Sequence, residues 1–129
     1  MVIYIDSSVL LASVFRESRA PSAALWDEDL ASSRLLEYEV WNRLNAYGLA
    51  SSHSDRAQAR LDRVNLAEMS EPALARALKP FAIAVRTLDA LHLATMDFLR
   101  ENGESIELAS YDNRLLTAAQ ALGITAAAL

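Results

Sequence analysis

An α/β/α sandwich around a mostly parallel sheet is the fold this sequence predicts, and three observations predict it. Strand candidates at residues 2–5, 106–110 and, more weakly, 31–35 are each followed by a stretch with helical spacing. Strands separated by helices imply βαβ units, hence parallel pairing with both sheet faces covered. The chain has 129 residues, 53% of them hydrophobic, enough for one substantial core, so a single domain over residues 1–129 is expected.

The elements follow in order. Val2 to Ile5 reads as a short buried strand, and Ser7 to about Phe15 as a helix with Leu10, Leu11, Val14 and Phe15 on one face. Pro21 at a first-turn position opens a helix to about Asp29, with Trp26 pointing inward. Residues 31–35 form a weaker strand candidate. A helix over residues 37–49 repeats Val40, Leu44 and Tyr47 at helical spacing. Ser54 and Asp55 are cap-type residues for a further helix to about Val64, and residues 65–69 read as a short extended link. Glu71-Pro72 starts another helix that Pro80 must end. Thr87 has the chemistry of a cap for a long helix to about Glu101, stopped by Asn102-Gly103. Residues 106–110 form a strand, 112–122 a helix, and Ile124-Thr125 a closing edge strand.

Composition limits the chemistry. There is no cysteine, so disulfides, thiolate metal sites and cysteine nucleophiles are excluded, and any metal must sit on oxygen or on histidine nitrogen. The opening Met1-Val2-Ile3-Tyr4-Ile5-Asp6 has neither a basic leader nor an apolar span, so no signal peptide or membrane segment is expected and the cytoplasm is the expected compartment. The net charge is −5, which argues against a nucleic-acid partner unless acids are gathered around divalent cations that invert the local field. Eleven of the twelve basic residues are Arg and only Lys79 is Lys, which suits bidentate contact with phosphate.

In open α/β sheets ligands bind beyond the carboxyl ends of the strands. Asp6 directly follows the first strand and Asp112 lies just past the strand at 106–110. Each is also an ordinary helix cap or first-turn acid. Asp89 stands at the start of the long helix in the apolar setting Thr87-Leu88-Asp89-Ala90-Leu91-His92-Leu93-Ala94, where a carboxylate needs a partner. Glu39 lies in an apolar-faced helix, and its bland role is an i,i+4 pair with Arg43. Four such carboxylates suit Mg²⁺ or Mn²⁺, hard cations that prefer oxygen. Phosphodiester hydrolysis by metal-activated water would then need no side-chain nucleophile.

Taken together, Ile3-Tyr4-Ile5-Asp6-Ser7-Ser8, Glu39-Val40-Trp41-Asn42-Arg43-Leu44, Leu88-Asp89-Ala90-Leu91-His92-Leu93-Ala94 and Ser110-Tyr111-Asp112-Asn113-Arg114-Leu115 resemble the PIN-domain family, and within it the VapC-like toxins. The likeness spans nearly the whole chain. It implies an acidic quartet of Asp6, Glu39, Asp89 and Asp112 holding Mg²⁺ or Mn²⁺, with Asp6 and Asp89 first in metal contact and Glu39 and Asp112 completing the cage or orienting waters. It implies supporting hydroxyls at Ser7 and Ser110, endonucleolytic cleavage of RNA, a cognate antitoxin covering the pocket, and a homodimer. Trp41, Tyr47, Leu49 and Phe15 are candidates for an interface, although core packing is the commoner fate of such residues.

His92, one turn from Asp89, is expected to be a satisfied core histidine, and Glu37 and Asp97 are expected to be solvated. Arg16, Arg19, Arg34, Arg86 and Arg114 are the candidates for phosphate contact. Two rival functions use the same features. A Mg²⁺-dependent phosphatase or phosphotransferase would place an aspartyl nucleophile after the first strand, but its second Asp would fall where this chain has Ser8. A receiver-type domain would want a Lys near the pocket, for which Lys79 before Pro80 is poorly placed. A third reading is an inert binding module that docks a basic peptide in its acidic mouth.

Overall fold

The computed structural model describes residues 1–129. In chain order it contains β1 (Val2–Ile5), α1 (Ser7–Val14), a short 3-10 helix (Ala23–Asp27), β2 (Leu30–Ser33), α2 (Leu35–Ala46), α3 (Ala50–Leu61), β3 (Val64–Ala67), α4 (Glu71–Ala77), α5 (Thr87–Glu101), β4 (Ile106–Ala109), α6 (Asn113–Ala121) and β5 (Thr125–Ala126). The strands form one five-stranded sheet in the order β3-β2-β1-β4-β5, and every pairing is parallel. The expected α/β sandwich is therefore the fold observed.

Period-two alternation in the strands divides the core into two layers. Ile5 of β1 packs with Val9, Leu10 and Val14 of α1, Leu36, Val40 and Leu44 of α2, and Ala57 and Leu61 of α3. Val2 and Tyr4 point the other way, to Leu93 and Met96 of α5 and to Leu115, Ala118 and Ala119 of α6. β1 is central, and the chain runs outward from it to β3 before crossing to β4 on its other side. The strand order thus reverses between β1 and β4, and the crevice at such a reversal is where α/β sheets present ligand sites.

Several expected boundaries move, each for a local reason. The expected helix at 21–29 is only the 3-10 turn at Ala23–Asp27, with Ser22 at its start and Trp26 buried as expected. Ser54 and Asp55 do not cap α3, which already begins at Ala50 without a side-chain cap. What permits the early start is Gly48, whose φ of 66° lets its N–H reach the Asn45 carbonyl at 3.1 Å and that of Leu49 reach Leu44 at 2.9 Å, closing α2 in a Schellman motif. Residues 64–67, read as part of a helix and a link, are instead the edge strand β3, in register with β2 from Leu30↔Val64 to Ser33↔Ala67. Thr87 is the first helical residue of α5, and Arg86 stands at the cap without a side-chain bond.

After α1 the chain reverses through the same kind of cap at Arg16, where φ is 53°. The Glu17 N–H bonds the Ala12 carbonyl at 2.9 Å. An L side chain is strained in this region whereas glycine is not. Arg16→Gly is expected to raise stability by about 0.5–1 kcal/mol, read as a higher melting temperature.

Asp97 is also placed differently from the solvated role expected. Arg76 of α4 donates to its Oδ2 at 2.9 Å and Arg100 to its Oδ1 at 2.8 Å, so it bolts α4 to α5. Burial works against its charge, but the two guanidinium groups outweigh burial and hold the carboxyl below its ordinary value. An acid depressed in this way stabilises the fold fully above its ordinary value, about pH 4, and loses that contribution as pH falls through the lower native value. Asp97→Asn is expected to cost about 1 kcal/mol at neutral pH. Urea unfolding should show the gap narrowing below about pH 4.

Candidate active site

Three of the four sequence-predicted acids owe their positions to helix starts at the carboxyl ends of strands or in the adjoining loop. Asp6 ends β1 and caps α1, its Oδ1 accepting from the Val9 N–H at 3.3 Å. Asp112 follows β4 and caps α6, its Oδ1 accepting from the N–H groups of Arg114 and Leu115. Asp89 lies in the first turn of α5. The cap role and the site role are therefore the same geometry, since a cap that follows a parallel strand stands at the mouth of the sheet.

Asp6 is held tightly. It is 5% exposed, with Ser8 Oγ donating to Oδ1 at 2.6 Å and Ser110 Oγ donating to Oδ2 at 2.6 Å. Each serine also accepts a backbone N–H, Ser8 from Tyr111 at 2.9 Å and Ser110 from Asp112 at 2.9 Å. These bonds stitch β1–α1 to β4–α6 across the switch point. Of the two hydroxyls singled out from sequence, Ser110 contacts Asp6. Ser7 lines the adjoining cleft without bonding it, and the contact falls to Ser8.

Glu39 does not pair with Arg43, which turns to Tyr47 instead. Its Oε1 lies 2.6 Å from His92 Nε2. His92 is 2% exposed, and its Nδ1 lies 2.7 Å from the Tyr4 hydroxyl, which accepts the Ser33 N–H at 3.1 Å. A carboxylate can only accept, so in the neutral ring Nε2 carries the proton given to Glu39 and Nδ1 accepts from the Tyr4 hydroxyl. Burial pushes the Tyr4 hydroxyl far up from its ordinary value, so that proton stays. His92 is thus a satisfied buried histidine, as expected, and also the group that aims a site carboxylate. Tyr4 carried a signal in the sequence: a lone phenol in an aliphatic strand must find a polar partner inside.

The electrostatics tie the set together. Burial, then the charges of Asp112 and Glu39, push the Asp89 carboxyl up, against the Arg86 guanidinium. Burial pushes the Asp6 carboxyl up against its hydrogen bonds from Ser110, Ser8 and Val9. Carboxylates that crowd one another and resist ionisation are relieved by a shared cation.

The set is open: no three of the His, Asp and Glu side chains are already drawn around one centre. Its donors are all hard oxygens, and Asp89 accepts no hydrogen bond from the protein. An ion that keeps several waters needs only a few such contacts, so the residues fit Mg²⁺ or Mn²⁺.

Three of these acids line two clefts. One of about 350 Å³ is lined by Asp6, Ser8, Asp112, Phe15, Arg19 and Tyr47, among others. A second of about 580 Å³ is lined by Ile83, Val85, Arg86, Asp89, Asn113 and Arg114, among others. Of the arginines named from sequence, Arg34 is paired with Glu68 and Arg19 with Glu17, whereas Arg86 and Arg114 face the second cleft.

Comparison with known proteins agrees with this architecture. The PIN domain model matches residues 3–121. The chain is 32% identical to Ribonuclease VapC35 of Mycobacterium tuberculosis, with 98% of this chain and 96% of that protein covered. It is 33% identical to Ribonuclease VapC46 of the same organism, over 95% and 93%. Among solved structures, a toxin-antitoxin complex from Klebsiella pneumoniae superposes with a TM-score of 0.67 at 20% identity, covering 92% of this chain and 93% of that one. The Pyrobaculum aerophilum protein PAE2754 does so with a TM-score of 0.64 at 19% identity, over 94% and 81%. A family match across nearly the whole chain and full-length relatives above 30% identity are what the four motifs implied: the chain belongs to the PIN-domain family.

Proposed function

We propose that this protein is a metal-dependent endoribonuclease and the toxin of a toxin–antitoxin pair. The observation that carries the reading is that Asp6 and Asp112 line one cleft at the β1–β4 switch point while the charges of Asp112 and Glu39 act on Asp89, in a chain whose full-length relatives are named ribonucleases. Asp6 and Asp89 would hold Mg²⁺ or Mn²⁺, with Asp112 and Glu39 completing the shell or holding its waters. Such an ion lowers the pKa of an attacking water and stabilises the leaving oxygen.

The protein's own contribution is positioning. Ser8 and Ser110 fix both oxygens of Asp6, and His92 fixes Glu39. No side chain needs to attack phosphorus, which distinguishes this reading from an aspartyl phosphotransferase: Asp6 is 5% exposed with both oxygens occupied, a poor nucleophile.

On this reading residues 1–129 act as one nuclease unit in the cytoplasm; no helix is long and apolar enough to cross a membrane. A cognate antitoxin would cover the acidic mouth. A homodimer belongs to the same reading and is to be measured by sedimentation.

The test is incubation of purified, antitoxin-free protein with structured RNAs in Mg²⁺ or Mn²⁺. Cleavage that EDTA abolishes is expected, and so is growth arrest when the protein is expressed without its partner. Folded protein that binds Mn²⁺ but cuts no RNA would leave the inert-module reading in its place.

A further inference from the structure

Twelve basic residues serve this chain, and most are spent internally. Arg19, Arg34, Arg63, Arg76 and Arg100 are in ion pairs. Arg56 and Arg60 hydrogen-bond to Val14 and Ser13 of α1, and Arg43 bonds Tyr47. Four cations remain without a partner, and two of them, Arg86 and Arg114, lie together on the larger cleft. They come from different elements, the residue that opens α5 and the first turn of α6, so the fold rather than local sequence brings them together. In a chain of net charge −5, two unpaired guanidinium groups on one cleft mark a place for an anion.

The rest of that cleft is specific in chemistry. Ile83, Ala84 and Val85 form an apolar wall, while Asn113 and Thr117 stand with Arg114 on the α6 side. The Asn113 side chain has a free donor and a free acceptor. Asp89 belongs to the same lining, and the charge of Asp112, next in the chain to Asn113, acts on it, so the cleft adjoins two of the four acids. Its volume of about 580 Å³ lies in the range of roughly 300–1,000 Å³ that takes one small ligand. An apolar wall, an amide and two guanidinium groups next to the catalytic acids match a base, its edge and its flanking phosphates.

On the nuclease reading above, we propose that this cleft is a nucleotide subsite that seats the nucleoside adjoining the scissile phosphate of a single-stranded RNA, its base on Ile83–Val85 and its phosphates on Arg86 and Arg114. A basic peptide, the ligand that acids alone would select, is opposed by the same two arginines.

The experiment is fluorescence-anisotropy binding of short labelled single-stranded RNA homopolymers in Ca²⁺, with RNA integrity checked on gels and the salt concentration varied. Arg86→Gln and Arg114→Gln are each expected to weaken binding and to lower the slope of log affinity against log salt by about 0.7. Ile83→Ser is expected to weaken binding with the slope unchanged, because it removes base contact and no charge. Lys79→Gln, which alters an unpaired cation outside the cleft, should change neither. Arginine variants that bind with wild-type affinity and slope overturn the subsite while leaving the nuclease reading intact, and would assign the cleft to a protein partner. A wild type that binds no RNA at any salt concentration overturns both.

Discussion

Replacing Asp6 with Asn is expected to abolish metal-dependent cleavage, by at least about a hundredfold, the scale on which one preorganised electrostatic contact acts, without unfolding the protein. Asn retains an oxygen for Ser8 and Val9 and is as good a helix cap as Asp. The bond that changes character is that to Ser110, whose hydroxyl must turn to accept from the new amide. Against that local loss, the variant removes a charge that burial disfavours. The metal-free variant should therefore melt at or above the wild-type temperature.

Asp89→Asn should behave alike for a different reason: Asp89 accepts no hydrogen bond and is crowded by Asp112 and Glu39. Calorimetric titration with Mn²⁺ should show weaker binding in both variants. Unfolding of both, with loss of circular dichroism, would mean that these acids are structural and would remove the basis for the catalytic assignment.

Replacing His92 with Leu should cost stability rather than spare it. The substitution strips Glu39 of its donor and leaves the Tyr4 hydroxyl aimed at hydrocarbon inside a layer where Tyr4 is fully buried. Each orphaned group costs about 1–3 kcal/mol, so a loss of about 2–4 kcal/mol is expected in urea unfolding. His92→Gln keeps a donor and an acceptor on one side chain and should recover part of it.

A second readout separates a packing role from a positioning one. With Glu39 no longer aimed at the site, Mn²⁺ affinity should fall by about tenfold or more, as happens when groups that orient metal-binding side chains are removed. Lost stability with unchanged Mn²⁺ affinity would confine His92 to the core.

The parts of this molecule that were legible in sequence are those in which a local rule and the global fold agree. Asp6 and Asp112 follow short apolar strands, and in a parallel sheet such a position is both a helix cap and the rim of the crevice. For Glu39 the sequence indicates the helix but not the partner: i,i+4 geometry reaches only Arg43, whereas His92 is brought to it by packing of α5 against the sheet. β3 reads as a link because an edge strand with one buried residue, Val64, carries little hydrophobic signal. The start of α3 was misplaced because Ser54 and Asp55 have cap chemistry, while the event that sets the boundary is the reversal at Gly48 upstream. Residue type does not separate Ser7 from Ser8, because helix phase decides which hydroxyl turns back to Asp6.

The hydrogen bonds that lock Asp6 in place join residues far apart in the chain: Ser110 bonds Asp6 across 104 positions and Tyr111 bonds Ser8 across 103. The layer built on α1, α2 and α3 can form earlier, from contacts within the first half of the sequence. Long-range parallel pairing is the slow and late part of such a fold, and a chain emerging from the ribosome acquires it only once β4 is free to slide in beside β1. Until then Asp6 lacks Ser110, and Asp112 is not yet at the mouth. A growing polypeptide of this kind lacks the lock on Asp6 for most of its synthesis, because the residues that close it are made after the body that carries it.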